Sequence, residues 1–370
     1  NIWPDMLSIM HFPVSLYYLP ENQTGDKMND KIKIEDAIDK FYTNNNIKAD
    51  YYTDSEEDAY LNCKSLDAKI SFLPLQENVK KWIQEFDKKD REYFLKLLEN
   101  FTYITKEALL YRVHCLCQAL FQELEGKGID KTKTLFVARE SPGGIKSGAD
   151  EIVVNLWQAN MRNLGKNQII TSMSRVDEDI VNNAQGIIFI DDILGTGFTM
   201  REQMEEFFEK FKNIEKDSHA FYFTGLLATR HAIKYIKKYT KNLGFVVSPF
   251  FTEEQMIRSA FKGDYIFGHE IVKEVEKIVE KYEDVISAYE NDDLDKTFAM
   301  GFGRCKLLLA FHYETPNNTL CSFWKATDKN HPVFVRSGYA RPSVDDLKKR
   351  DKHMRKNAYE FKAVNRGVKR

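Results

Sequence analysis

The chain has 370 residues, a length that suits one large domain with extensions or about two domains. Its hydrophobic (43%) and charged (30%) fractions are those of a globular protein and argue against a disordered chain. Lysine plus arginine (54) nearly balance aspartate plus glutamate (56), so the chain as a whole is not a general nucleic-acid binder. No uncharged apolar stretch of about 18 residues is present, so we expect no membrane contact.

The five cysteines form no C-x-x-C pair, which argues against a zinc ribbon and against a disulfide scaffold. The first residues show no basic region followed by an apolar core, so we expect no signal peptide. A reducing, cytoplasmic location follows as the expectation.

The first two regions are predicted to be an extension and a helical segment. Residues 1–75 form the N-terminal extension, with a helix over 32–42. Residues 76–130 carry apolar side chains at three-to-four spacing, which predicts two or three helices. The last of these begins at Thr105 and ends near Gly126.

Residues 131–265 alternate short apolar runs with amphipathic stretches. This alternation predicts an α/β fold with a mostly parallel sheet. The predicted strands are 134–138, 168–171, 186–190, 221–229 and 245–247. The predicted helices are 149–164, 198–211 and 232–239.

The remaining residues divide into a cap and a tail. Residues 266–340 are predicted to be a C-terminal α/β cap, with a helix over 270–289, a strand over 306–311 and a turn at 316–319. Residues 341–370 hold eleven basic against four acidic residues. This basic tail contacts RNA or DNA phosphates, forms a charged exposed helix, or docks as a helix on a protein partner.

The stretch over 187–199 carries the clearest chemistry. A buried strand delivers Asp191 and Asp192 to its carboxyl end, and a Gly- and Thr-rich loop then leads into a helix. Ligands of open α/β sheets bind at this edge, and a helix N-terminus suits a phosphate. The carboxylates would repel a phosphate, so they are better suited to accept hydrogen bonds from a ribose diol.

This stretch resembles the phosphoribosyl diphosphate (PRPP) motif of the class I phosphoribosyltransferases. That motif is an apolar strand, two acids, two or three mostly apolar residues and then T-G-x-T. The resemblance implies a Rossmann-like parallel sheet of the phosphoribosyltransferase type I. It also implies that Asp191 and Asp192 hold the ribose hydroxyls and reach Mg²⁺ through the ligand. The implied 5′-phosphate contacts are Gly195, Thr196, Gly197, Phe198 and Thr199.

Two further segments are candidates for ligand contact by the same resemblance. The loop after strand 134–138 would hold the diphosphate through Arg139, Gly143, Gly144, Lys146 and Ser147. It is longer than the usual family version. In the cap, Asn317, Asn318 and Trp324 either contact the base or acceptor or form a turn that packs Trp324 into a core.

Looser similarity over roughly 78–335 resembles a bacterial subfamily of phosphoribosyltransferase-like proteins found in defence and retron-type gene neighbourhoods. It implies an enzyme that binds PRPP or a related nucleotide and cleaves or transfers at ribose C1, as a toxic effector held in check by a protein partner or homo-oligomer. The open alternative is a non-catalytic subunit that senses a ribose phosphate or assembles with nucleic acid or protein.

Overall fold

The structure, a computed structural model, describes residues 25–47, 75–138, 168–173, 176–242, 246–288, 298–327 and 329–334. The helices are α1 (Gly25–Asn44), α2 (Leu75–Gln84), α3 (Arg91–Glu99), α4 (Lys106–Gly126), α5 (Glu178–Asn182), α6 (Phe198–Lys210), α7 (Arg230–Asn242) and α8 (Val272–Ser287). The strands are β1 (Thr102–Ile104), β2 (Thr134–Ala138), β3 (Ile169–Ile170), β4 (Gly186–Leu194), β5 (Ala220–Ala228), β6 (Val247–Pro249) and β7 (Leu309–Phe311).

Five strands form a parallel sheet in the order β3-β2-β4-β5-β6. In the central register, Ile188 of β4 lies between Phe136 of β2 and Tyr222 of β5. The strand sequences are continuous apolar runs because both faces of a parallel sheet are covered. The predicted α/β class with a parallel sheet is therefore confirmed.

Each face of this sheet packs against its own set of elements. On one face, alternate side chains of β2, β4 and β5 contact apolar residues of α5, α6 and α7. On the other face, the intervening side chains contact the buried stripe of α4 and the strand β7. The alternation along each strand decides which residue faces which layer.

A third hydrophobic cluster joins the two ends of the described chain. Helices α1, α2 and α3 pack there against α8 and against residues 298–333, with Trp82 and Trp324 both fully buried. Strand β1 pairs in parallel with β7, with Thr102 opposite Leu309. The N-terminal helices therefore pack mainly on the C-terminal region.

Several predicted boundaries move in the structure. Thr105 caps α4 as expected, since its hydroxyl accepts a hydrogen bond of 3.1 Å from the Ala108 N–H. Strand β1 lies inside the stretch predicted as helical, and β4 continues to Leu194, beyond the predicted end at residue 190.

The predicted helix over 149–164, most of the N-terminal extension and the basic tail lie outside the described residues. Within the described ranges, no helix is both long and apolar enough to cross a bilayer.

Candidate functional site

Two adjacent acids lie near the carboxyl end of β4. Asp191 is buried, and Asp192 is partly exposed. Each carboxylate accepts a hydrogen bond from the next backbone N–H, at 3.0 Å from Asp192 N to Asp191 Oδ1 and at 2.7 Å from Ile193 N to Asp192 Oδ1. These local bonds fix both carboxylates and leave acceptor positions on their other lone pairs, since a carboxylate offers about four.

Tyr313 reaches this pair from the cap, 121 residues along the chain. Its hydroxyl donates to Asp192 Oδ2 at 2.9 Å. The ring stacks on Phe311 with centroids 5.1 Å apart, so the strand β7 places the hydroxyl. The Tyr313 hydroxyl thus donates to the Asp192 carboxylate, to which the sequence predicts that a ribose hydroxyl binds.

Burial shifts the pKa values of both groups in this contact. It raises the pKa of Asp192; the Tyr313 hydroxyl opposes that shift, and the neighbouring Glu314 adds to it. Burial, together with the charge of Asp192, also raises the pKa of Tyr313. Tyr313 therefore stays protonated and serves as a donor that stabilises the ionised form of Asp192.

The loop after β4 leads directly into α6. Gly197 has φ of +87° and precedes the first helical residue, a left-handed conformation that favours glycine. Thr196 is buried, and its hydroxyl accepts from the Phe198 N–H at 3.3 Å. The Phe198 ring belongs to the third hydrophobic cluster, so Phe198 can offer a ligand only its backbone, whereas Thr199 is exposed. The first N–H groups of α6 face this loop and suit an anion.

The end of β5 supports the loop from the side. Thr229 follows β5, and its hydroxyl donates to the Gly195 carbonyl at 2.7 Å and accepts from the Ala232 N–H at 3.0 Å. The same hydroxyl therefore joins the loop to the first turn of α7. Thr229 is not among the residues predicted from the sequence, although its position directly after a buried strand places it at the same edge of the sheet.

Asn318 of the cap lies directly against this loop. A β-carbon on Gly195 would lie 2.3 Å from Asn318 Cγ, so the amide fits only beside a glycine. The amide nitrogen donates to the Phe302 carbonyl at 3.1 Å and to Cys305 Sγ at 3.4 Å. Asn318 and Tyr313 together bring the cap onto the carboxyl end of β4.

The other two predicted contacts in the cap are Trp324 and Asn317. Trp324 is fully buried, its Nε1 donates to the Thr319 carbonyl at 2.9 Å, and its ring meets Phe298 edge to face. The Trp324 ring therefore packs in the interior, which is the second of the two alternatives that the sequence leaves open. Asn317 is partly exposed, and its carbonyl accepts from the Phe302 N–H at 2.7 Å.

The predicted diphosphate contacts lie outside the described residues. These are Arg139, Gly143, Gly144, Lys146 and Ser147. The strand that leads into them, β2, lies beside β4 with Ala138 opposite Ile190. In a parallel sheet, the segment after β2 therefore starts at the same edge as the two acids.

The side chains available as metal ligands limit the kind of metal site that the described residues can form. Among the described residues, no group of three or more His, Cys, Asp or Glu side chains could hold a metal ion. Two adjacent carboxylates without further protein ligands suit a Mg²⁺ ion that arrives with substrate phosphates and keeps some of its water. The described residues do not suit a metal held by protein side chains alone.

The comparisons with known proteins give one positive finding. A family model described as PRTase-CE, a phosphoribosyltransferase-like family, matches residues 79–336, more than half of the chain. The matched range contains the sheet, the loop after β4, and the cap residues Tyr313 and Asn318. No curated protein and no solved structure matches the chain.

Proposed function

This chain belongs to the PRTase-CE family, with a phosphoribosyltransferase-type fold and function, and from that premise we propose that it binds PRPP or a related nucleotide at the carboxyl end of β4. One observation carries the proposal. The two acids of β4, the Gly197 turn and the N-terminus of α6 follow one another directly along the chain. This continuity supports the proposal because carboxylate acceptors and the backbone N–H donors at a helix N-terminus lie a few residues apart along the chain.

In the proposed arrangement, Asp191 and Asp192 accept hydrogen bonds from the ribose hydroxyls, and the backbone N–H groups of the loop receive the 5′-phosphate. The cations Arg139 and Lys146 lie in the segment that follows β2 and would neutralise the diphosphate. Mg²⁺, bound with the diphosphate, would offset negative charge on the leaving group.

The proposed reaction exchanges one bond at ribose C1. The bond from C1 to the diphosphate oxygen breaks, and diphosphate leaves with the electron pair. A nucleophilic nitrogen or a water oxygen forms the new bond to C1, and its proton passes to solvent. Positive charge develops on the sugar ring, and the two nearby carboxylates stabilise it electrostatically. Fixed carboxylates suit this role because they need no reorganisation during the reaction.

Calorimetric titration with PRPP tests the binding step, with and without Mg²⁺. Asp191→Asn/Asp192→Asn should bind about tenfold or more weakly, since two hydrogen bonds to charged acceptors are weakened. The matched control is Asp264→Asn/Asp284→Asn, which neutralises two exposed acids away from the loop. Equal affinity for all three proteins would contradict the proposal.

Release of diphosphate, measured on the same proteins, separates an enzyme from a sensor. Release that requires Asp191 and Asp192 supports transfer or hydrolysis at C1. Binding without any release supports the sensing alternative instead. The effector role suggested by the defence-type resemblance is tested by induced expression in bacteria, where the wild type but not the double variant should arrest growth and deplete the PRPP or nucleotide pool.

A further inference from the structure

Helix α7 has an outer face of one charge. Its exposed positions include Arg230, Lys234, Lys237, Lys238 and Lys241, and the helix contains no acidic residue. These cations recur at intervals of three or four residues, so they lie on one face over a length of about 16 Å. Such a concentration is notable in a chain whose formal net charge is −2.

The opposite face of α7 fixes its orientation. Ala232, Ile236 and Thr240 are buried, and the first two belong to the cluster that packs on the sheet. The basic face therefore points away from the protein, because the helix cannot rotate without exposing these side chains.

The lysines of this face have no internal counter-charge in the described part of the chain. Arg230 pairs with Glu253 at 2.7 Å, with both side chains more than half exposed. No ion pair joins Lys234, Lys237, Lys238 or Lys241 to a described carboxylate. Burial and the charges of Lys234 and Lys262 lower the pKa of His231, so positive charge is concentrated near the start of this helix.

Helix α8 shows that this pattern is not a general property of the surface. Its exposed lysines, Lys273, Lys277 and Lys281, are interspersed with four acids that are at least partly exposed, at positions 274, 276, 280 and 284. The acids at 276 and 280 also pair with Lys306 and Arg304. A mixed face of this kind offers a polyanion no net attraction.

The basic face starts beside the proposed ligand loop. Ala232 and Tyr235 of α7 lie against Gly197, with Tyr235 Cδ1 at 3.0 Å and the Ala232 carbonyl at 3.2 Å from the position of a β-carbon on that glycine. Thr229, just before α7, donates to Gly195. A polyanion along α7 would therefore have one end at the edge of the sheet that carries Asp191 and Asp192.

We propose that the outer face of α7 binds the phosphate backbone of a nucleic-acid strand, whose end lies near the loop at residues 195–197. Lysines suit this partner because each is a flexible point charge that can follow a phosphate at every nucleotide. The placement of the strand end rests on the proposed function, since it takes that loop to be a ribose-phosphate site. The binding of the nucleic acid to α7 does not rest on the proposed function.

The test measures binding of a labelled single-stranded oligonucleotide to the full chain by fluorescence anisotropy, at salt concentrations from about 50 to 200 mM. Lys234→Gln/Lys237→Gln/Lys241→Gln should lower the slope of log affinity against log salt by about 2, because each lost phosphate contact removes about 0.7. The control, Lys273→Gln/Lys277→Gln/Lys281→Gln on α8, removes the same charge from an equally exposed helix and should keep the wild-type slope.

Three results would overturn the proposal. One is equal loss of affinity in the α7 and α8 variants, and another is no binding by the wild type. The third is an affinity for polyglutamate equal to that for the oligonucleotide, which would assign the face to an acidic protein. The Asp191→Asn/Asp192→Asn variant should keep its oligonucleotide affinity while it loses PRPP binding, so failure of either proposal is visible without the other.

Discussion

Two carboxylate centres lie in different parts of this molecule, and their carboxylates accept hydrogen bonds from different kinds of donor. Glu283 of α8 is fully buried and accepts three backbone N–H bonds, from Met300 (3.2 Å), Cys321 (2.7 Å) and Ser322 (2.9 Å). Asp192 of β4 accepts from Ile193 and from the Tyr313 hydroxyl and remains partly exposed. Burial raises the pKa of both carboxyls.

The difference lies in the donors. Backbone N–H groups cannot leave without unfolding the segment, so Glu283 joins α8 to the cap permanently. A tyrosine hydroxyl at the end of a side chain can move, and a carboxylate with two donors keeps lone pairs for a further donor. The Glu283 centre is therefore suited to stability, and the Asp191–Asp192 centre is suited to a ligand.

The largest effect is expected from Glu283→Gln. An amide NH₂ must replace one carboxylate oxygen and would face an N–H donor, so the free energy of unfolding should fall by about 3 kcal/mol. Urea denaturation measures this loss. Glu280→Gln on the same helix removes only the partly exposed pair with Arg304 and should cost below about 1 kcal/mol. Equal costs would mean that the buried Glu283 carboxylate adds no more stability than an exposed ion pair.

A smaller effect is expected from Gly195→Ala. The new β-carbon would displace the Asn318 amide from its contacts with Phe302 and Cys305, at a cost of about 1–2 kcal/mol. In a double-mutant cycle, Gly195→Ala should therefore cost little in the Asn318→Ala background, where those contacts are already absent. Gly126→Ala is the matched control, since nothing lies within 4 Å of its added carbon. Strict additivity would mean that the cap does not rest on the loop.

The smallest effect on stability, about 1 kcal/mol, is expected from Tyr313→Phe, because one hydrogen bond is lost. Its clearer effect is on pH dependence. The lost donor stabilised the ionised carboxylate, so the pKa of Asp192 should rise further above its usual range. The proposed binding of PRPP would need that ionised form, so on acidification it should weaken at a higher pH in the variant than in the wild type.

Calorimetry over a pH series measures this shift, and the ligand's own titration cancels because it is the same for both proteins. Tyr265→Phe removes the hydroxyl of an exposed tyrosine and should keep the wild-type profile. An unchanged profile in Tyr313→Phe would mean that the cap does not tune Asp192. Tighter binding at every pH would mean instead that Tyr313 competes with the ligand.

The sequence alone determined the features that depend on neighbouring residues. The apolar runs that became β2 and β5 and the periodic stretches that became α4, α6 and α8 follow from local patterns, which the structure reproduces within a few residues. The place of Asp191, Asp192 and Gly197 at a strand-to-helix junction is local in the same sense. The parallel class of the sheet follows from the alternation of these elements.

Only the tertiary structure decided which distant residues meet these elements. Strand β1 has three residues, too few for a periodic pattern, and it exists because β7 supplies its hydrogen bonds from about 200 residues away. Tyr313 and Asn318 reach Asp192 and Gly195 through the packing of the cap, and Trp324 is buried by Phe298 and other residues of the third cluster. Contacts of this kind depend on the shape and register of several packed elements, and no local pattern encodes them.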